Sequence, residues 1–269
     1  VIPPIEWTLS GHGGELGART WPNPDARWLA VLLHDHGEHL GRYQHVADAL
    51  AGMGAMVVGA DLVGHGRSAG ERALIGDFEA VVSDVDTVLT AALDGHPDLP
   101  VVLVGHGLGG TLAVRYAQRF PERVAAMVLS APVLGSWPVL DLLEYDTIPD
   151  APVDPETLTR DTSVTAAYAA DPLVWHGPFK RPTLAALEEL LQTISFDHPL
   201  GDELPVLWLH GDADQLVDQA DTRAGTDRVR GLGFEERTYP GSRHELFNEI
   251  NRDEVFSDIA AFTARAVKG

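Results

Sequence analysis

The chain has 269 residues, 45% of them hydrophobic and 22% charged, with no cysteine and a formal charge of −21. That length suits one large α/β core carrying an insertion, while the missing cysteines exclude disulfides, thiolate catalysis and Cys-ligated zinc. The acidity excludes nucleic acid, whose binding needs concentrated positive charge.

In chain order, Glu15 to Thr20 and Trp28 to His34 read as strands, Tyr43 to Ala51 as a helix, Ala55 to Ala60 as a short strand and Phe78 to Leu93 as an amphipathic helix. The strand Val101 to Val104 leads into a helix from Leu108 to Phe120, whose Leu112, Tyr116 and Phe120 share a face, and Val124 to Leu129 is again a strand. The pattern changes after Pro132. Prolines break the segment up to about residue 160, and a better helix follows in RPTLAALEELLQTIS. Strand and helix alternation resumes with Pro205 to His210, Gln219 to Val229, Phe234 to Tyr239 and Glu249 to Ala264. Such alternation implies a mostly parallel sheet covered on both faces. No apolar run is long enough to span a bilayer, so stable membrane insertion is not expected. The start VIPPIEWTLS lacks a basic-then-apolar leader, so a cytoplasmic location is the expectation, with secretion after removal of a leader left open. Oligomeric state is not indicated.

The segment VVLVGHGLGG raises the functional question. Gly105, Gly107 and Gly110 fit the spacing of a dinucleotide fingerprint, but the next strand ends in VLSAP and supplies no acidic residue for a ribose. The competing reading is a nucleophile elbow, G-x-S-x-G, with Gly105 and Gly109 as its glycines and Gly107 where the serine would stand. The Leu108 amide then opens a helix and can donate to an oxyanion. Later loops supply partners in the matching order: HGDAD offers Asp214, and GSRHELF offers His244 as a base whose tautomer Asp214 would fix. In LLHDHGEHLGRY the His36 amide is the second oxyanion donor, and Asp35 is expected to face the same cavity as His244. The histidines of this loop complete no recognised zinc pattern, so neither metal nor cofactor is expected. In DLVGHGRSAG, Asp61 and Arg67 read as loop anchors.

Taken together, HDHGEHLGRY, DLVGHGRSAG, GHGLGG, HGDAD, GSRHELFNE and YAADPLVWHG resemble the monoacylglycerol lipase and lysophospholipase-like family of α/β-hydrolases over nearly the whole chain. The resemblance implies an α/β-hydrolase core in residues 1–132 and 205–269, with a cap inserted over 133–204. It puts Asp214 and His244 on the family's acid and base, and His36 and Leu108 on its oxyanion residues. It puts Gly107 on the nucleophile, and Asp35 where the family has glycine. Trp137, Leu140, Leu143 and Tyr145 of the cap are expected to line a pocket for a small, neutral, partly apolar molecule.

The leading expectation is a divergent enzyme, poor at ester hydrolysis, in which His244, Asp214 and Asp35 carry out non-covalent general acid/base chemistry. Two alternatives stay open: a carboxylic-ester hydrolase bearing an engineered serine-to-glycine change, and a non-catalytic ligand-binding relic.

Overall fold

The computed structural model describes residues 3–267. Its strands are β1 (Ile5–Gly11), β2 (Gly14–Trp21), β3 (Trp28–Leu33), β4 (Ala55–Ala60), β5 (Val101–His106), β6 (Ala126–Ser130), β7 (Val206–Gly211) and β8 (Phe234–Tyr239). They form one sheet in the order β1-β2-β4-β3-β5-β6-β7-β8. The β1–β2 and β2–β4 pairings are antiparallel, and the others are parallel.

The central strands are fully buried because helices cover both faces. Side chains alternate across β3. Leu29, Val31 and Leu33 pack toward α2 (Phe78–Leu93) and α3 (Leu108–Arg119), whereas Trp28, Ala30 and Leu32 pack with residues of α1 (Gln44–Gly52) and α7 (Arg252–Ala266). The strand β1 is absent from the sequence reading. It pairs with β2 at the sheet edge, and its sequence IEWTLSG alternates apolar Ile5, Trp7 and Leu9 with polar residues, Trp7 and Leu9 packing half-buried against the core, a period-2 signal that the sequence reading does not use.

Between β6 and β7 the chain forms a 3₁₀ turn at Pro138–Glu144, then α4 (Thr162–Ala170) and α5 (Arg181–Phe196). Leu187, Leu190, Leu191 and Ile194 of α5 join the core on the α2 and α3 side. The remaining helix, α6 (Gln219–Val229), connects β7 to β8.

The topology creates the site. From β3 the chain passes to β4 on one side, and β5 then inserts on the other, so a crevice opens beyond the ends of β3 and β5. Leu33 is in register with Gly105, which brings residues 35 and 107, each two positions further on, to the same place. The turn into α3 is tight. A Cβ on Gly109 would meet the Leu33 carbonyl oxygen at 2.1 Å, so a side chain there would force α3 away from β3.

Candidate active site

Gly107 keeps the backbone of a strand-to-helix elbow, with φ 53° and ψ −120°. That conformation lies outside the ordinary regions for residues with a side chain. Its amide donates to the Ser130 carbonyl, and its own carbonyl accepts from Gly110 and Thr111, so the turn is held from both sides. The space above it is taken by Asp35. A Cβ on residue 107 would lie 2.2 Å from the Asp35 Cγ, and 2.3 and 2.5 Å from its two oxygens. The carboxylate therefore stands where a side chain on the elbow would start.

Its two oxygens have different partners. Oδ1 accepts from the amides of Leu108 and His36, both at 2.7 Å. These are the two amides the sequence assigns to an oxyanion hole, and the carboxylate oxygen bridges them. Oδ2 lies 3.2 Å from His244 Nε2. On the other side of the imidazole, Nδ1 donates to Asp214 Oδ2 at 2.8 Å. The amides of Leu216 and Val217 donate to Asp214 Oδ1 and orient that carboxylate. The expected pair is thus a chain of three groups: Asp35, His244, Asp214.

Electrostatics fixes its charge state. Burial pushes the His244 pKa down, but the charge and hydrogen bond of Asp214, followed by those of Asp35, outweigh it and hold it well above its usual value. Burial pushes both carboxyls up. His244 reverses this for Asp35, with smaller help from His106 and the Leu108 amide, and His244 and His210 reverse it for Asp214. At neutral pH the chain is carboxylate, imidazolium, carboxylate, with one net negative charge.

Neighbouring groups brace this arrangement. His34 Nδ1 donates to the Asp35 carbonyl, and its Nε2 accepts from the Leu62 amide. Asp61 accepts from the amides of Leu40 and Arg67, an anchoring role in agreement with its sequence reading. Glu38 accepts from the Asp35 amide. Arg42 is bidentate to Glu245 at 2.7 and 2.8 Å and also pairs with Glu38, tying the loop after β3 to the loop that carries His244. This brace is missing from the sequence reading. The one available signal is Glu38 four residues before Arg42, and nothing in it points to Glu245.

A cavity of about 320 Å³ opens onto Asp35 and His244. Its apolar wall includes Val133, Trp137, Val139, Leu142, Trp175 and Phe179. Of the four expected pocket residues, only Trp137 is among them. In the 3₁₀ turn from Pro138, positions three apart share a face, and the face of Val139 and Leu142, not that of Leu140 and Leu143, meets the cavity. Leu140 instead packs against the core, Leu143 does not line the cavity, and Tyr145 is 56% exposed. Trp175 is held beside the active loop, its amide donating to Gly37 at 2.7 Å.

His36 contributes more than its amide. Its ring stacks on Phe179 with centroids 4.9 Å apart, and both ring nitrogens are buried without a partner among the described residues. Burial, offset in part by Asp35, lowers its pKa to about 4, which keeps the ring neutral. His106 is buried as well. Its Nδ1 faces Ser130, its Nε2 has no partner among the described residues, and its ring lies 4.6 Å from that of His244.

Asp35, His106 and His244 each offer one ligand atom, and these atoms lie within 4.8 Å of one another. Such a set of two imidazoles and a carboxylate is of a kind that divalent transition metals accept. Here Asp35 Oδ2 and His244 Nε2 of this set are hydrogen-bonded to each other, while Asp35 Oδ1 and His244 Nδ1 are held by the His36 and Leu108 amides and by Asp214.

Comparison with known proteins places this geometry in context. The family described as Hydrolase_4, serine aminopeptidase S33, matches residues 24–251. The monoacylglycerol lipase of Mycolicibacterium smegmatis is 36% identical over 269 residues, covering 96% of each chain. The Homo sapiens monoglyceride lipase is 30% identical over 268 residues, covering 93% of this chain and 87% of its own. Among solved structures, Paleococcus ferrophilus monoacylglycerol lipase superposes with a TM-score of 0.80 at 25% identity, covering 93% of this chain and 99% of that one.

Proposed function

The chain belongs to the monoacylglycerol lipase-like family of α/β-hydrolases, and from that premise we propose that it is an enzyme that acts on a small, neutral, partly apolar molecule without a seryl acyl-enzyme. His244 is its proton-transfer group, Asp214 orients that imidazole, and Asp35 takes the place of the serine. One observation carries this reading: the Asp35 carboxylate bridges the amides of His36 and Leu108 and also meets His244. An ester carbonyl polarised in that hole would have to displace a charged acceptor, and the elbow offers no hydroxyl to attack it.

The lipid-like substrates named for the relatives agree with the apolar wall of the cavity. Its acidic groups disfavour an anionic ligand. A catalytic pair retained in hydrogen-bond contact, with Asp214 fixed by two amides, favours an enzyme over a binding relic.

The test compares the purified protein with its His244→Ala and Asp214→Asn variants on monoacylglycerols, p-nitrophenyl esters and a panel of neutral apolar electrophiles. The expected result is ester turnover at least about 10³-fold below the ~10⁴ M⁻¹s⁻¹ lower range of enzymes, no labelling by a serine-directed phosphonate, and a reaction elsewhere in the panel that both variants lose. Efficient ester turnover, or binding of panel members with no turnover of any, would overturn the reading.

A further inference from the structure

We propose that Asp35 is a covalent nucleophile and that the substrate class is epoxides on a medium-sized apolar skeleton, opened to vicinal diols. This deepens the proposed function and rests on its reading of the site as catalytic.

The inference starts from the unequal roles of the two Asp35 oxygens. Oδ1 is held by two amides, while Oδ2 has His244 as its neighbour and the carboxylate borders the cavity. If Oδ2 formed a bond to carbon, Asp35 would become an ester with Oδ1 as its carbonyl oxygen. That oxygen already sits between the amides of His36 and Leu108. The hole is thus placed for an oxyanion formed on Asp35 itself, and His244 is placed to activate water beside it. A general acid/base role alone would leave Oδ1's position without a use.

Carboxylates are suited to displacement at saturated carbon, and the cavity selects the leaving group. It is bordered by Glu38, Asp154 and Glu245, and Arg42 is engaged with two of these carboxylates. A departing anion would be poorly received there. An epoxide is neutral, and its oxygen stays attached after ring opening and needs only a proton. The imidazolium of His244 holds one.

The steps balance as follows. Asp35 Oδ2 attacks one ring carbon, its C–O bond forms and the ring C–O bond breaks. The new alkoxide takes the His244 proton through water in the cavity. Asp35 is now a neutral ester, so the smaller of the two carboxylate contributions that raised the His244 pKa is gone, and the imidazole, having given its proton to the alkoxide, is free to act as a base while Asp214 still orients it. It removes a proton from water as the water oxygen attacks Cγ, and the tetrahedral oxyanion on Oδ1 is received by the His36 and Leu108 amides. Collapse breaks the Cγ–Oδ2 bond, and the leaving diol oxygen takes the proton back from His244. The resulting carboxylic acid returns its proton to the imidazole. One epoxide and one water are consumed and one diol is formed, with no oxidant or further co-reactant.

The test uses the unmodified protein with 1,2-epoxyoctane and styrene oxide in H₂¹⁸O. With enzyme in excess, the first turnover is expected to give an unlabelled diol and one ¹⁸O in the peptide containing Asp35. His244→Gln is expected to accumulate an adduct of the epoxide's mass on that peptide, and Asp35→Asn to form none and to lose at least 10³-fold in turnover, its melting curve showing that it folds. Label in the first-turnover diol with none in Asp35 would mean direct hydration, which overturns the nucleophile and leaves acid/base catalysis standing. Turnover of other panel substrates but of neither epoxide would overturn the substrate class, and activity abolished by a chelator would assign Asp35 to a metal site instead.

Discussion

Placing a serine on the elbow is expected by itself to give no esterase. Gly107→Ser puts a Cβ within 2.5 Å of three Asp35 atoms, so one of the two side chains must move, and the oxyanion hole still holds the Asp35 oxygen. Asp35→Gly alone clears the hole and leaves no nucleophile. The pair Asp35→Gly/Gly107→Ser should recover hydrolysis of p-nitrophenyl butyrate and monoacylglycerols by about 10³-fold or more over either single variant, the scale on which triad members act as a unit. Gly107→Ser is also expected to lose about 1–3 kcal/mol of stability from overpacking, and the double variant to regain most of it. Urea unfolding and steady-state kinetics on the four proteins measure both effects. Equal activity in Gly107→Ser and in the double variant would show that Asp35 does not block the site.

The second large effect concerns the buried cation. His244 lies between Asp214, whose side chain is fully buried, and Asp35, which is 23% exposed. Replacing it with alanine leaves two carboxylates facing a cavity without their counter-charge, and about 3–5 kcal/mol of stability should be lost at pH 7, the cost of breaking a buried pair. Adding Asp35→Asn should return part of that loss. The pH dependence has two limbs. The raised His244 pKa contributes stability that is fully present below its unfolded value and disappears as pH rises through the folded one. The lowered carboxyls contribute stability that is present above their unfolded values and disappears as pH falls through the folded ones. The His244→Ala protein should therefore show a flatter stability profile toward high pH than the wild type. An unchanged unfolding midpoint at pH 7 would contradict this picture of the cluster.

What could be read from the sequence was what local pattern controls. Gly105, Gly109, Asp214 and His244 stand next to strong strands, and their order along the chain carries the same information as their position at the ends of those strands. The strand β1 carries only a short alternation, Ile5, Trp7 and Leu9, whose side chains are exposed or half-buried at the sheet edge, a weaker signal than the continuous apolar runs of the central strands. The wall of the cavity depended on which face of the 3₁₀ turn meets it: Val139 and Leu142 share one face and Leu140 and Leu143 another, both pairs three apart, and only the tertiary packing of the turn puts the first pair toward the cavity. Asp35 was visible as a residue at odds with its surroundings. Its partnership with Gly107 was not, because it depends on the register between β3 and β5, a tertiary fact with no local sign. The Arg42–Glu245 brace joins residues 203 apart and was hidden for the same reason.

Gly107 and Asp35 fit together in space: with no side chain on the elbow there is room for the carboxylate, which accepts from the His36 and Leu108 amides and meets His244. The central claim is that this contact exists and sets the state of the site. Its most direct measurement is solution NMR of the His36 and Leu108 amides and the His244 ring, in the wild type and in Asp35→Gly. In the wild type both amide protons should resonate downfield and exchange slowly, as donors to a carboxylate at 2.7 Å do, and His244 should be imidazolium at pH 7.5. In Asp35→Gly both amides should move upfield together, and the His244 pKa should fall. Amides indifferent to the substitution, or a wild-type His244 that titrates near 6.5, would contradict it.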